Sequence, residues 1–349
     1  MTSLYYRDTT VALHVGDAVD VMQSFPDSSV DCVVTSPPHW GLRDYGTASW
    51  VGGNPDCQHT LGTTPHQRRT STYRVSRGTH SNAARRCRNC GATARDQQYG
   101  LEASIRDHVD RLQQVSTEVG RVLTPRGTFW LNLRDSFSYH HSGTGRTGTN
   151  TSQVTSEHVA HKSLMGIPWR VALALQRDGW IVRNAIVWHK PNAIPDPTWE
   201  RFSARYEMVF LLVKQPDYHF DAAHAREPLT QDRPAHRKNR HGGVKPHTIH
   251  TPSQPNSTGK NVGDIWSMST RPLPEAHCAP FPVDLPRRCI AAGCPENGRV
   301  LDPFSGAGTT GLAAHQLGRF YQGIDLRQDY HDIFKRRLTD SDSTRVESA

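Results

Sequence analysis

Apolar and polar positions along the chain fall into blocks of two distinct periods. Val11–Val15 and Val30–Val34 are short apolar runs. Between them lie a turn at Gly16-Asp17 and a stretch of helical spacing, so the order strand, helix, buried strand is predicted. Ile105, Val109, Leu112, Val115, Val119 and Val122 recur every three or four residues. That spacing predicts a helix over 104–123, ended by Pro125-Arg126-Gly127, with Thr128–Leu133 as the next strand. A helix over 168–176 stops near Gly179, and apolar runs at 181–189 and 206–213 predict two more strands. From Phe281 onward the pattern gives a helix, a strand at Arg299–Phe304, a glycine loop, a helix opened by Thr309-Thr310, and a strand at Phe320–Ile324. Strands alternating with helices imply an α/β fold on a mostly parallel, doubly wound sheet.

Polar segments interrupt this pattern. Residues 52–98 read as an insertion, and 138–162 as a mobile loop with almost nothing to bury. Residues 222–262 carry seven Lys or Arg against two acidic residues and read as a basic insertion. The sheet-forming parts are therefore 1–51, 99–221 and 263–337, and 338–349 is expected to be a flexible tail.

Charge sharpens the picture. The 349 residues include 41 Lys or Arg against 33 Asp or Glu, a formal net charge of +8, which suits a polyanionic partner. No apolar run approaches the roughly 18 residues that span a bilayer, and MTSLYYRDTT lacks a signal peptide's basic-then-apolar pattern. A cytoplasmic protein without a membrane partner is expected. In a reducing compartment the seven cysteines read as thiols or metal ligands.

Two segments carry candidate chemistry. Ser305-Gly306-Ala307-Gly308 follows a strand and opens a helix, where glycines let the backbone approach a ligand and free amides bind polar groups. A second strand ends in Asp325, 23 residues after Asp302, where an acidic side chain binds ribose hydroxyls. Gly311 lies at the wrong offset for G-x-G-x-x-G, which disfavours a nicotinamide dinucleotide. The second segment is Thr35-Ser36-Pro37-Pro38-His39-Trp40. Two prolines cannot continue a central ladder, so the chain turns outward at a strand's carboxyl end, where α/β sheets bind ligands.

Asp302-Pro303-Phe304-Ser305-Gly306-Ala307-Gly308-Thr309-Thr310 resembles the S-adenosylmethionine-binding motif of amino-group DNA methyltransferases. Ser36-Pro37-Pro38-His39 resembles their catalytic motif, in which Ser, Asp or Asn precedes two prolines and an aromatic residue. The resemblance implies a Rossmann-like class I methyltransferase fold. The catalytic motif precedes the cofactor loop, which resembles the circularly permuted "beta" arrangement. A catalytic half then spans 1–51 and 99–221, and an S-adenosylmethionine-binding half spans 263–337.

The implied catalytic residues are Ser36, Pro37, Pro38, His39 and Trp40. An exocyclic amino nitrogen is a poor nucleophile because its lone pair is delocalised, and the Ser36 oxygen and Pro37 carbonyl can accept its hydrogens. The base must leave the duplex and stack on an aromatic face; His39 stands where the family has Tyr or Phe, and Trp40 is an alternative platform. The implied cofactor-binding residues are Asp17, Thr35, Phe281, Asp302, Phe304, Ser305, Gly306, Gly308, Thr309 and Asp325. Asp17 would face the adenine edge, and Phe281 lies in a segment around the methionine moiety. Serine at 36 leans toward cytosine N4, with adenine N6 open. Cytosine C5 chemistry needs a Pro-Cys nucleophile, which the chain lacks.

Cys57, His59, Cys87 and Cys90 supply four ligands suited to a tetrahedral structural zinc site within 52–98, His66 and His80 being alternatives. Double-stranded DNA is the implied partner, read by the zinc insertion or by 222–262, and a cognate restriction endonuclease is a further one. The assembly expected is a monomer or a homodimer. The competing class is a zinc-dependent DNA-binding protein that keeps the fold without turnover.

Overall fold

A computed structural model describes residues 3–59, 86–138, 159–160, 162–196, 198–223, 262–271, 273 and 280–347. Most of the loop expected at 138–162 and of the basic insertion at 222–262 lies outside the described residues, as do 60–85 of the insertion at 52–98.

In chain order the elements are β1 (Ser3–Arg7), β2 (Val11–Val15), α1 (Ala18–Met22), β3 (Val30–Thr35), β4 (Ser49–Val51), β5 (Thr93–Arg95), α2 (Ile105–Val122) and β6 (Leu123–Leu133). There follow α3 (Ile167–Arg177), β7 (Ile181–His189), β8 (Tyr206–Val213), β9 (Ile265–Ser267), α4 (Asp284–Gly293), β10 (Arg299–Asp302), α5 (Thr309–Gln316), β11 (Phe320–Asp325) and α6 (Gln328–Glu347). The described residues form a nine-stranded sheet in the order β1-β2-β11-β10-β3-β6-β8-β7-β9. β2, β11, β10, β3 and β6 run parallel. β8 is antiparallel to both β6 and β7, and β9 pairs parallel with β7 at that edge.

Period-two alternation sends each strand's side chains to two cores. Val33, Phe129, Leu131, Phe210 and Leu212 pack under α1, α2 and α3. Cys32, Val34, Trp130, Leu211 and Val213 pack under α4, α5 and α6. Helix α2 forms because Ser104 caps it, accepting from the Asp107 amide at 3.0 Å, and because its apolar stripe faces the sheet. Each large residue of that stripe contributes roughly 1.5–3 kcal/mol by leaving water.

The mostly parallel sheet wrapped by helices agrees with the expected fold class. Two local expectations need correction. The strand after α2 starts at Leu123, not Thr128, and includes Pro125. Pairing jumps from Val30 with Leu123 to Cys32 with Thr128, so residues 124–127 bulge out of the ladder and Pro125 needs no N–H there. Residues 338–347, expected as a flexible tail, continue α6. Leu338 packs on the core, and an established helix extends at little cost per residue. No described helix is long and apolar enough to cross a membrane.

Candidate active site

The topology brings the carboxyl ends of β2, β11, β10, β3 and β6 to one edge of the sheet, beside the amino end of antiparallel β8. A cavity of about 210 Å³ lies along this edge. One wall is Ser36, Pro37, Pro38 and His39; another is Asp302, Phe304, Ser305 and Gly306; Asp325, Thr309 and Phe281 also reach it. Two segments 270 residues apart in sequence thus share one pocket.

Strand β10 ends in Asp302, which is buried. Its carboxylate accepts from Thr35 Oγ1 at 2.6 Å, Thr310 Oγ1 at 2.7 Å and the Phe304 amide at 3.0 Å. Burial pushes its pKa up to about 6 against those three bonds. Asp325 behaves alike: burial raises it to about 6, while the Gly306 and Arg327 amides donate to its two oxygens at 2.8 and 2.9 Å. Three amides of the glycine loop, those of Ser305, Gly306 and Gly308, thus bond within the protein. The Ser305 amide binds Ile324 O and the Gly308 amide binds Ser305 O, so the loop is stitched to β11 and to itself.

Other expected cofactor residues sit just outside the cavity lining. Thr35 is buried against Asp302. Asp17 caps α1 by accepting from the Val19 amide at 2.9 Å, between cavity-lining Gly16 and Ala18. Gly308 does not line the cavity. Its φ is +71°, and a Cβ there would lie 2.2 Å from Phe334 Cδ2, so glycine is needed for α6 to pack.

Ser36 rests on a polar cluster that sequence reasoning missed. Asn132 Nδ2, at the end of β6, lies 3.2 Å from Ser36 Oγ and 2.8 Å from Glu207 Oε2. Lys190 Nζ donates to Glu207 Oε1, and His39 Nε2 lies 3.9 Å from the same oxygen. Despite burial, Glu207 is held below its ordinary pKa by the Lys190 ammonium that donates to its carboxylate. Burial drives His39 down to about 4, so its ring is neutral at physiological pH. The available signal was polarity out of place: Asn132 in TFWLNL and Glu207 in YEMVFLLV interrupt otherwise apolar strands.

Trp40 is a correction. Its indole is 3% exposed, packs in the core and donates to Glu102 O at 3.0 Å, so it offers no face to the cavity. It anchors the motif instead. Gly100 has the same effect from the other side. Its φ is +86°, and a Cβ would lie 2.7 Å from His39 O and 3.0 Å from Pro38 O. The Gly41 amide also donates to Gly100 O at 2.9 Å.

Cys57, His59, Cys87 and Cys90 come together, with all four ligand atoms within 4.8 Å of one another. Cys57 Sγ and Cys87 Sγ are 3.8 Å apart and Cys90 Sγ lies 3.3 Å from His59 Nδ1. A tetrahedral zinc with bonds of about 2.3 Å to sulfur separates its sulfurs by roughly 3.8 Å, so the cluster has the right size and donor set. It sits at the end of the β4–β5 hairpin, His59 packing on Trp50 with ring centroids 4.8 Å apart.

Residues 30–336 match the family of N6/N4 methyltransferases described as DNA methylase. The chain belongs to that DNA methylase family. It is 33% identical over 344 residues to the type II methyltransferase M.Cfr9I of Citrobacter freundii, covering 97% of this chain and 90% of the relative. It is also 33% identical to M.SmaI of Serratia marcescens, over 93% of this chain and 89% of the relative. The structure of PvuII DNA methyltransferase (cytosine-N4-specific) superposes with a TM-score of 0.56 at 15% identity, covering 96% and 95% of the two chains. That likeness shows a common fold. This DNA methylase is thus an amino-group methyltransferase of the N4/N6 type.

Proposed function

We propose that this DNA methylase transfers a methyl group from S-adenosylmethionine to cytosine N4 in double-stranded DNA. The observation that carries the reading is Ser36 at the cavity wall, its oxygen 3.2 Å from Asn132 Nδ2, across the pocket from Asp302 and Gly306. S-adenosylmethionine supplies a methyl group activated on a sulfonium sulfur. Carboxylates of Asp302 and Asp325 suit a cationic ligand, and Phe281, Phe304 and Tyr99 give the apolar walls an adenosine needs. Each Asp325 oxygen accepts one backbone amide and keeps lone pairs for ribose hydroxyls. Ser305 and Thr309 complete the cofactor wall; Asp17 supports it by capping α1 between Gly16 and Ala18, and Thr35 and Gly308 support it through Asp302 and Phe334.

Ser36 Oγ and the Pro37 carbonyl accept the hydrogens of the target amino group, orient its lone pair toward the methyl group and need no covalent intermediate. Pro38 fixes the turn. Neutral His39 provides the planar face for a base flipped out of the duplex. Serine rather than aspartate at position 36 supports cytosine over adenine.

Cys57, His59, Cys87 and Cys90 hold one structural zinc ion, which fixes the base of the 52–98 insertion. The basic residues of 222–262 bind DNA phosphates and contribute to target recognition. The enzyme acts in the bacterial cytoplasm as a monomer or homodimer, paired with a cognate restriction endonuclease. Labelled S-adenosylmethionine should transfer its methyl group to unmethylated DNA, and digestion to nucleosides should give N4-methylcytosine by mass spectrometry. N6-methyladenine would reassign the acceptor base. No methylated nucleoside at all, with cofactor bound, would overturn the proposal.

A further inference from the structure

The connection between β7 and β8, residues 190–205, carries the three most exposed large apolar side chains among the described residues. Trp199 is 101% exposed, Phe202 98% and Ile194 87%. Scattered single apolar residues on a surface are ordinary, but a Trp and a Phe three positions apart, both wholly in water, are a feature of binding faces.

The loop that bears them is held, not slack. At its base the Lys190 amide donates to Arg205 O at 2.8 Å. Asn192 Nδ2 donates to Thr270 O at 2.8 Å, and Asn192 Oδ1 accepts from the Thr270 amide at 2.9 Å. Between the two aromatics, Arg201 lies 3.7 Å over the Phe137 ring and 2.5 Å from Asp196, while Glu200 pairs with Lys162 at 2.6 Å. The polar residues of the segment thus grip the protein, and Trp199 and Phe202 stand clear of it.

Lys190 and Glu207, on either side of the loop's base, both line the cavity, and so does Thr270. The loop that bears the aromatic pair therefore starts and ends at the pocket into which Ser36 faces. Charge around the loop still leans positive, as suits a polyanion: Lys162, Lys190, Arg201, Arg205 and the cavity-lining Arg134 stand against Asp196, Glu200 and Glu207.

We infer that Trp199 and Phe202 are a wedge that enters double-stranded DNA as the target nucleotide leaves the stack. The inference rests on the reading of this chain as a DNA-base methyltransferase. Extruding a base leaves its neighbours unstacked and the opposite base unpaired. An apolar ring inserted there recovers stacking on any base, because every base has a π-face, and it stops the target from returning. Trp199 and Phe202 are positioning residues: they hold the extruded state and make no contact with the reacting atoms.

The test uses the full chain with Trp199→Ala and Phe202→Ala combined. The methylated site is first mapped on unmethylated phage DNA with the unsubstituted enzyme. Methyl transfer is then measured on a duplex with that site, and on the same duplex with an abasic position opposite the target base. The expected result is a loss of about tenfold or more in kcat/KM on the paired duplex, equivalent to about 1.4 kcal/mol, with the abasic duplex and cofactor affinity unaffected. Trp199→Phe should recover most of the loss. Equal losses on both duplexes, or no loss on either, would overturn the wedge. So would a change of oligomeric state with the ratio of the two rates unchanged, which would assign the pair to self-association. An unsubstituted enzyme that binds S-adenosylmethionine but methylates no DNA would instead remove the underlying reading.

Discussion

Thr35 donates a 2.6 Å hydrogen bond to Asp302 from 267 positions away in the chain, joining the end of β3 to the end of β10. Both residues are buried, so water cannot replace either partner. The bond extends to the strand ends the pairing of β10 with β3, which already sets the two halves of the site side by side.

Replacing Thr35 with Val should reveal that tie through its dependence on pH. Burial holds the Asp302 pKa at about 6, above its ordinary value, so the ionised carboxylate costs stability. That cost is fully present above pH 6 and fades as pH falls toward the ordinary range near 4. Thr35 offsets part of it, and only while Asp302 is charged. Thr35→Val should lose about 1–3 kcal/mol at pH 8 and distinctly less at pH 5, read from denaturant unfolding at each pH. An equal loss at both would show that the hydroxyl does not act through the charge.

Gly100→Ala should damage catalysis more than cofactor binding. Its new methyl group would press on the His39 and Pro38 carbonyls, behind the residues proposed to accept the amino group. Displacement of a catalytic group by about 1 Å costs on the order of a hundredfold in rate. Isothermal titration of cofactor alongside single-turnover methyl transfer separates the two effects; an unimpaired transfer step would dismiss the contact.

Glu207 and Lys190 form a buried pair whose members need each other. Glu207→Leu strands the ammonium and should cost about 3–5 kcal/mol. Glu207→Leu combined with Lys190→Met removes both charges and should regain much of that stability. Methyl transfer should stay depressed in the double variant, because Asn132 loses the carboxylate that orients it toward Ser36. A double variant no more stable than Glu207→Leu would show that the cost comes from packing and not from the stranded charge.

The Cys57, His59, Cys87 and Cys90 cluster predicts a metal content that can be weighed. Burial and the thiols of Cys90 and Cys87 push Cys57 up to about 11, so metal uptake should release protons. Plasma mass spectrometry of purified protein should find about one zinc per chain, falling with Cys87→Ser. Chelation should loosen hydrogen-exchange protection across residues 86–98. Because Thr47 and Gln98 reach from this hairpin into the cavity, cofactor affinity should weaken with it. Full protection after complete zinc removal would count against the clamp.

The parts of the site legible in sequence are those where the backbone itself must do something unusual. Pro37-Pro38 has to leave the sheet, and Gly306 and Gly308 have to turn, so their residue types reveal them. Asp325 was legible because the helix between two parallel strands fixes its offset from Asp302. Asn132, Lys190 and Glu207 were hidden because they meet only when β8 returns antiparallel beside β6, a pairing that no local pattern encodes. Trp40 misled for a related reason. An indole next to a catalytic motif can serve it from the pocket or from the core, and only the position of Glu102 decides which.

The strand order carries a consequence for synthesis. β10 and β11 occupy the middle of the sheet, between β2 and β3, yet they are among the last elements to leave the ribosome. Until they arrive, β2 and β3 each keep an open edge, the kind of surface that pairs with other chains. A product that stops before Arg299 therefore has a catalytic motif without a pocket and two sticky edges where its centre should be. Such a fragment should be inert toward DNA and prone to aggregate, so methylation begins only with the finished chain.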